Sequence, residues 1–348
     1  MPNAEFWRGR RVLITGHTGF KGSWLSLLLK ELGSDITGIA LPPPTKPSLF
    51  EFAEVDKELR SIEGDIRRVS ALWELTRSCR PEVVFHLAAQ SVVATGYSDP
   101  ITTFHTNALG TANVLEAVRG VGSVKAVVSV TTDKVYADPD SGRRFVETDP
   151  LGGHDPYAAS KAAAEIITQS YRDSFLARHG VGVGTARGGN VLGGGDWTPH
   201  QLIPEVISAF AAGHPATLRH PDAVRPWQHV LDALSGYIDL AEKLVTDPEE
   251  FSGAWNFGPA VTQDLSVAHV TNRLAALWGS QSSWRADSQA FPEEAATLSI
   301  DSTKARDRLG WEPRLILDAA LAWVVDWYRS YYEGNDLTRQ QVTSFLEL

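Results

Sequence analysis

The sequence predicts an α/β fold: a doubly wound parallel sheet followed by a smaller C-terminal α/β lobe. Three observations carry this. Short β-branched runs alternate with helical patterns through the first half of the chain, as repeated β-α-β units require. The run Val83-Val84-Phe85-His86-Leu87 is apolar enough to be covered on both faces, as strands of parallel sheets are. After about Arg187 the alternation stops, and glycines and less regular segments take its place.

The elements follow in order. Arg11-Val12-Leu13-Ile14-Thr15 reads as a strand, with a helix from Gly22 to about Leu32. Asp35 to Ala40 is a second strand, stopped by Pro42, Pro43 and Pro44. A third strand ends at Gly64-Asp65-Ile66, and a helix over Val69 to Ser78 leads into the strand Val83–Leu87. A long helix from about Thr103 to Val118, the strand Ala126 to Val130, a helix from Tyr157 to His179 and the strand Val181 to Ala186 complete the series. Gly188, Gly189, Gly193, Gly194 and Gly195 then read as a loop. Ala216-Thr217-Leu218 and a tryptophan-rich helix near Trp323 and Trp327 belong to the smaller lobe. The expected division is 1–187 for the sheet domain, with return segments near 225–258, and 188–348 mainly for a lobe that binds substrate. That lobe should cover the carboxyl ends of the strands, where such sheets bind ligands.

Composition narrows the function classes. With 348 residues, 43% of them apolar and 21% charged, the chain has material for a sizeable core. A net charge of −10 with no basic block argues against nucleic acid or an anionic membrane as partner. The single cysteine, Cys79, rules out an intrachain disulfide and a thiolate zinc site, and no metal is expected. The N-terminus carries no signal-peptide pattern, and the longest apolar run, near Leu25 to Leu29, is far too short to span a bilayer. A cytoplasmic location is the expectation.

The loop Gly16-His17-Thr18-Gly19-Phe20-Lys21-Gly22 follows a predicted strand and opens a helix. Glycines there allow a tight turn and bring backbone N–H groups close to a pyrophosphate, which makes the sheet a Rossmann-type dinucleotide binder. Gly16, His17, Thr18, Gly19, Phe20 and Gly22 are the first candidates for cofactor contacts. Asp65 and Ile66, at the end of the third strand, could meet an adenine amino group; equally, Asp65 could simply cap the turn before Arg67. Leu87-Ala88-Ala89-Gln90 provides small residues where the chain would pass close to a dinucleotide. NAD and NADP stay open. No acidic residue ends the second strand to bind ribose hydroxyls, and His17 and Lys21 add basic character that would tolerate a 2′-phosphate.

Tyr157-Ala158-Ala159-Ser160-Lys161 sets a phenol and an ammonium one helical turn apart on one face. A neighbouring cation lowers a tyrosine pKa from about 10, so Tyr157 is a candidate base for a sugar or alcohol hydroxyl, and Lys161 a candidate partner of the nicotinamide ribose. Such a pair is common on protein surfaces; its position at the start of the helix after the fifth strand is what makes it specific. Upstream, Thr131-Thr132-Asp133-Lys134 follows the strand Ala126–Val130. Thr132 would orient a hydroxyl beside Tyr157. Asp133 and Lys134 add an acid and a base that plain alcohol oxidation does not need.

With these residues in view, the chain resembles the nucleotide-sugar 4,6-dehydratases of the extended short-chain dehydrogenase/reductase type, and among them the CDP-glucose enzymes. The matching segments are Gly16–Ser26, Pro47-Ser48-Leu49-Phe50, Gly152–Tyr157, Gly189–Trp197, Arg225–Leu231 and Trp255–Pro259. CDP-glucose forms carry Thr-Asp-Lys where dTDP-glucose forms carry Thr-Asp-Glu, and Lys134 stands here. The resemblance implies NAD as a retained cofactor and a nucleotide-diphosphate sugar as substrate. Tyr157 would take the 4-hydroxyl proton, Lys134 the C5 proton, and Asp133 would protonate the departing C6 oxygen. It further implies Asn190 and Arg225 as substrate contacts, arginine suiting a diphosphate through its bidentate fork, and a homodimer through the helices near 103–118 and 157–175. Residues 91–97 and 137–147 depart from the family pattern where both segments should line the site. A dTDP- or UDP-glucose dehydratase, and a C4 epimerase or decarboxylase that shares Thr132, Tyr157 and Lys161, are the competing enzymes. A non-catalytic dinucleotide sensor is the competing binding protein.

Overall fold

The computed structural model describes residues 2–137, 143–259, 264–279, 282–287 and 297–348. Seven strands, numbered along the chain, form the central sheet: β1 Arg11–Thr15, β2 Asp35–Ala40, β3 Arg60–Glu63, β4 Val83–His86, β5 Ala126–Val130, β6 Gly182–Gly188 and β7 Gly253–Phe257. Their order is β7-β6-β5-β4-β1-β2-β3, and every pairing is parallel. The winding direction reverses between β1 and β4, so a crevice opens at the carboxyl ends of these two strands.

Strand side chains alternate between two cores, as the pleat dictates. Val12, Ile14, Val83, Phe85 and Val128 face one core with the helices Phe20–Glu31, Val230–Thr246 and Leu317–Tyr332. Leu13, Val84 and Val127 face the other, with Leu72 and Leu75 from Val69–Cys79 and Val114, Leu115 and Val118 from Gly110–Arg119. Covering both faces explains why β4 and β5 are buried at every position.

The expected loop Gly188–Gly195 contains the end of β6 and the short strand Val191–Leu192, and three helices also depart from expectation. The helix after β1 starts at Phe20 rather than Gly22, with Gly19 as its N-cap. The long helix predicted over 103–118 is Pro100–Phe104 and Gly110–Arg119 joined by a π-turn at His105–Leu109. The helix predicted to reach His179 stays regular over Pro156–Tyr171, then passes through a π-turn at Arg172–Leu176 and a 3-10 turn at Ala177–His179. Hydrophobic spacing tolerates one extra residue in a turn, so periodicity does not reveal these π-turns.

The remaining strands are short pairs: Val191–Leu192 with Gln228–His229, Val224–Pro226 with Asp264–Ser266, and Ala216–Leu218 with Trp284–Ala286. Among the described residues no helix is long and apolar enough to cross a membrane.

Candidate active site

Gly16 sits at φ +81°, and a Cβ there would lie 2.6 Å from the Ala88 nitrogen. A Cβ at Gly22 would lie 2.1 Å from the Gly16 carbonyl oxygen. The loop after β1 and the loop after β4 therefore touch backbone to backbone, pinned by Leu87 N–H to Thr15 O (3.0 Å) and Ala88 N–H to Thr15 Oγ1 (3.2 Å). Thr18 Oγ1 donates to Leu41 O at 2.9 Å, tying the loop to the chain after β2. Gly19 offers no side-chain acceptor to the helix it caps, which leaves first-turn N–H groups for an anion. Gly16, Thr18, Gly19, Phe20, Gly22, Leu87, Ala88 and Ala89 thus form a cradle with the close backbone approach that a dinucleotide needs.

His17 corrects one expectation. Its ring is fully buried, covering Gly38 of β2, where a Cβ would strike it at 2.4 Å, and Nε2 meets Ser61 Oγ at 2.8 Å. Burial pulls its pKa down to about 4, so it is neutral and brings no positive charge for a 2′-phosphate. Lys21 brings none there either: its Nζ lies beside Gly188 at the end of β6, on the far side of β1 from β2.

Asp65 is engaged by Arg67, whose Nε and Nη2 grip both carboxylate oxygens (2.6–3.0 Å) while its N–H donates to Oδ1 at 2.9 Å. Those hydrogen bonds hold its carboxyl below the usual range. Ile66 is buried against Gly110. Gln90 braces its own loop: its Nε2 donates to Thr103 Oγ1, and its Oε1 accepts from Val92 N–H.

One residue in this region escaped sequence reasoning. Asn107, within the π-turn, bonds Gln90 N–H and C=O and donates from the same Nδ2 to Ser160 Oγ at 2.8 Å. It joins the β4 loop to the helix that carries Tyr157 and Lys161. The signal was a poor helix former placed inside a predicted helix, just before Gly110-Thr111.

That helix starts with Asp155 capping Ala158 N–H (3.0 Å) and Pro156 in its first turn. Lys161 is buried, donating from Nζ to Val130 O at 2.9 Å, and its pKa is pulled down to about 8 by burial and by Lys21. The Tyr157 phenol is pushed up, first by burial and also by Asp133 and Asp155; only its hydrogen bond with Thr132 acts the other way. Lys161 is not what eases its ionisation here, contrary to the expectation from the sequence spacing. Thr132 Oγ1 donates to Asp133 Oδ1 at 3.0 Å, at the head of a 3-10 turn, Asp133–Val135, that also places Lys134. Asp133 is 2% exposed, and its Oδ2 is buried without a hydrogen-bond partner among the described residues.

Three more side chains converge here, Lys21 from the glycine loop, Asp196 from the segment Gly189–Trp197 and Tyr237 from the helix Val230–Thr246. Lys21 Nζ and the Tyr237 hydroxyl lie 3.7 and 2.5 Å from where a Gly188 Cβ would be, and Asp133 Oδ2 lies 3.4 Å from that of Gly189. Burial lowers Lys21 to about 8 against the pull of Asp133 and Asp196. Burial also raises Asp196, which lies in the loop clamped by Trp24 Nε1 (3.0 Å to Gly194 O) and Trp327. Tyr237 is fully buried, and its hydroxyl has no hydrogen-bond partner among the described residues.

Pro226 packs on Gly189, and Arg225, 4% exposed, donates from Nη1 to Val224 O at 2.9 Å. Asn190 is half-buried, its carbonyl accepting from Gln228 N–H. Trp197 and Thr198, directly after Asp196, line a cavity of about 580 Å³ with His200, Thr217, Arg219 and Asp287. Of the two segments that depart from the family pattern, 91–97 places Gly96 against Tyr157. In the other, 138–142 lie outside the described residues, while Phe145 stacks on Tyr136 at 4.6 Å.

A Rossmann-type sheet with a glycine cradle, and a Thr–Tyr–Lys set at the ends of β5 and its following helix, define an enzyme of the extended short-chain dehydrogenase/reductase type. The chain belongs to the GDP-mannose 4,6 dehydratase family, whose model matches residues 13–322. It is 42% identical to the CDP-glucose 4,6-dehydratase of Salmonella typhimurium, across 99% of both chains. It is 30% identical to a dTDP-glucose 4,6-dehydratase of Streptomyces griseus, covering 92% of this chain and 96% of that one. Among solved structures, the dTDP-glucose 4,6-dehydratase of Streptomyces venezuelae with NAD and TYD bound superposes with a TM-score of 0.78 at 26% identity (94% and 99% covered). The UDP-glucose 4-epimerase of Thermotoga maritima superposes at 0.82 with 22% identity (92% and 99% covered).

Proposed function

We propose that this protein is a hydro-lyase that converts CDP-glucose to CDP-4-keto-6-deoxyglucose, with NAD retained through the cycle. The observation that carries this is the Thr132-Asp133-Lys134 turn: an acid and a base beside the redox pair Tyr157 and Lys161, with one buried Asp133 oxygen that has no hydrogen-bond partner among the described residues. An epimerase needs the redox pair alone. The full-length likeness to the Salmonella CDP-glucose enzyme supports the choice of nucleotide.

NAD would lie in the cradle of Gly16, Thr18, Gly19, Phe20, Gly22 and Leu87–Gln90, with Asp65 and Ile66 toward the adenine and Lys161 at the nicotinamide ribose. The neutral state of His17 supports NAD over NADP, as does the NAD bound in the Streptomyces venezuelae structure. When bound, the nicotinamide supplies a hydride acceptor for C4 and a donor for C6. The residues do the rest. Thr132 orients the 4-hydroxyl and Tyr157 accepts its proton. The resulting ketone acidifies C5, Lys134 removes that proton, and Asp133 protonates the C6 oxygen as water departs. Lys134 then returns a proton to C5. Asn190 and Arg225 hold the sugar nucleotide, Arg225 through the diphosphate.

Residues 188–348 serve mainly as the substrate lobe. The working form is a cytoplasmic homodimer, supported by the exposed apolar residues Ile101, Leu109, Ile166 and Phe175 on or beside the helices expected to form its interface. The test is a panel of nucleotide sugars assayed for 4-ketosugar without added cofactor, in deuterated solvent. CDP-glucose is expected to turn over fastest and to carry deuterium at C5. Faster turnover of dTDP- or UDP-glucose reassigns the nucleotide, and a C4 epimer with no C5 label sinks the dehydratase reading.

A further inference from the structure

A dehydratase cycle through Tyr157, Lys134 and Asp133, the reading on which this inference rests, leaves one proton misplaced. In each turnover Tyr157 gains the 4-hydroxyl proton and Asp133 gives one to the departing water, while the C5 proton is removed and replaced. Before the next turnover a proton must therefore pass from Tyr157 to Asp133.

The Thr132 hydroxyl donates to Asp133 Oδ1 at 3.0 Å and neighbours the Tyr157 phenol. The three residues are 7%, 2% and 8% exposed, which leaves little access for bulk water. We infer that Thr132 is a proton bridge: Tyr157 donates its proton to Thr132 Oγ1 as Thr132 passes its own hydroxyl proton to Asp133 Oδ1. One O–H bond breaks at Tyr157, one forms at Asp133, and no electrons change hands. The same transfer readies both groups, leaving a phenolate to accept the 4-hydroxyl proton and a carboxylic acid to protonate the C6 oxygen. A half-turn about the Asp133 Cβ–Cγ bond, soft in carboxylates, carries the proton to the unpartnered Oδ2 side. The missing Cβ of Gly189, 3.4 Å away, leaves space for it.

The charged and titratable groups around this line come from several elements. Asp155 and Asp133 act on Tyr157, Tyr237 faces both Tyr157 and Asp133, Lys21 faces Asp133 and Asp196, and Lys161 faces Lys21 and Glu165. Of these, Asp133 is the group joined to Tyr157 through a hydroxyl.

Rapid mixing of the NAD-loaded enzyme with CDP-glucose isolates the first step, read as nicotinamide reduction between about pH 6 and 9. In the wild type the rate is expected to be flat, since resting and readied forms hold the same number of protons, and a weakly buffered indicator should register no proton release. In Asp133→Asn the phenol must lose its proton to solvent. The rate should then climb about tenfold per pH unit, with about one proton released per nicotinamide reduced. Electrostatics without a bridge gives the opposite, because removing the negative charge of Asp133 eases ionisation of Tyr157. A flat Asp133→Asn profile at wild-type speed or better, without proton release, overturns the bridge. Thr132→Val should behave like Asp133→Asn and Thr132→Ser like the wild type; a flat profile in Thr132→Val also overturns it. A wild type that reduces no nicotinamide with any nucleotide glucose overturns the dehydratase reading and the bridge together, whereas the variant results bear on the bridge alone.

Discussion

Asp133 has one carboxylate oxygen fixed by Thr132 and one buried oxygen without a partner. A buried acceptor left unmade costs about 1–3 kcal/mol, which makes sense where a substrate completes the hydrogen bonding. Lys134 follows directly, so the proposed acid and base share one short turn. Replacing Lys134 by Met should leave C4 oxidation intact and slow elimination by about 10²–10⁴-fold. Reduced nicotinamide would accumulate, and C5 of recovered substrate would carry no deuterium; unimpaired exchange at C5 would move the base elsewhere. These residues were legible in the sequence because adjacent polar groups at a strand end have few structural uses. That Lys21, Asp196 and Tyr237 gather beside them was not, since these come from three distant segments and meet around Gly188 and Gly189.

At the scale of elements, the loops after β1 and β4 are placed by a contact that tolerates no added atom. Gly16→Ala would force a side chain into Ala88 at a positive φ. We expect a folded protein destabilised by about 1–3 kcal/mol that loses copurified NAD, measured by denaturant melts and cofactor content. The helix Val230–Thr246 is anchored differently, through Asp232, whose carboxylate accepts from Arg314 N–H at 2.7 Å and Leu315 N–H at 3.3 Å. Burial raises its pKa from 3.8 to about 6. A raised folded pKa gives stability that is complete below the unfolded value and lost as pH rises through the folded one. Asp232→Asn should therefore gain on the wild type by roughly 2 kcal/mol between pH 4 and 7, read as the difference between their urea melts. A difference that is constant with pH would contradict this.

Across the whole molecule, the helix that carries Tyr157 and Lys161 is locked to the sheet by a buried ion pair. Arg187 of β6 meets both oxygens of Glu165 at 2.9 and 3.0 Å, and Thr131 and Thr185 donate to the same carboxylate. Arg187 extends the network to Tyr136, which bonds Asn256 of β7. Glu165→Ala would strand a buried guanidinium and should cost about 3–5 kcal/mol, seen in thermal or denaturant unfolding. A loss below about 1 kcal/mol would mean that the pair contributes little.

The order of strands and helices, the glycine cradle and the Thr-Asp-Lys and Tyr-x-x-x-Lys sets could all be read from the chain itself, since each depends on spacing within a few residues. Helix lengths were less legible, because a π-turn such as His105–Leu109 leaves hydrophobic spacing nearly unchanged. The sequence by itself therefore determined the fold class and singled out the residues proposed to react. Only the tertiary structure decided their surroundings: that His17 is buried and neutral, that Lys161 also bonds the Val130 carbonyl, that Asn107 ties the β4 loop to the helix of Tyr157, and that Thr132 bonds Asp133 beside the Tyr157 phenol. The reason is physical. Desolvation and charge pairing depend on neighbours brought together by the sheet from far along the chain, and no local pattern encodes them.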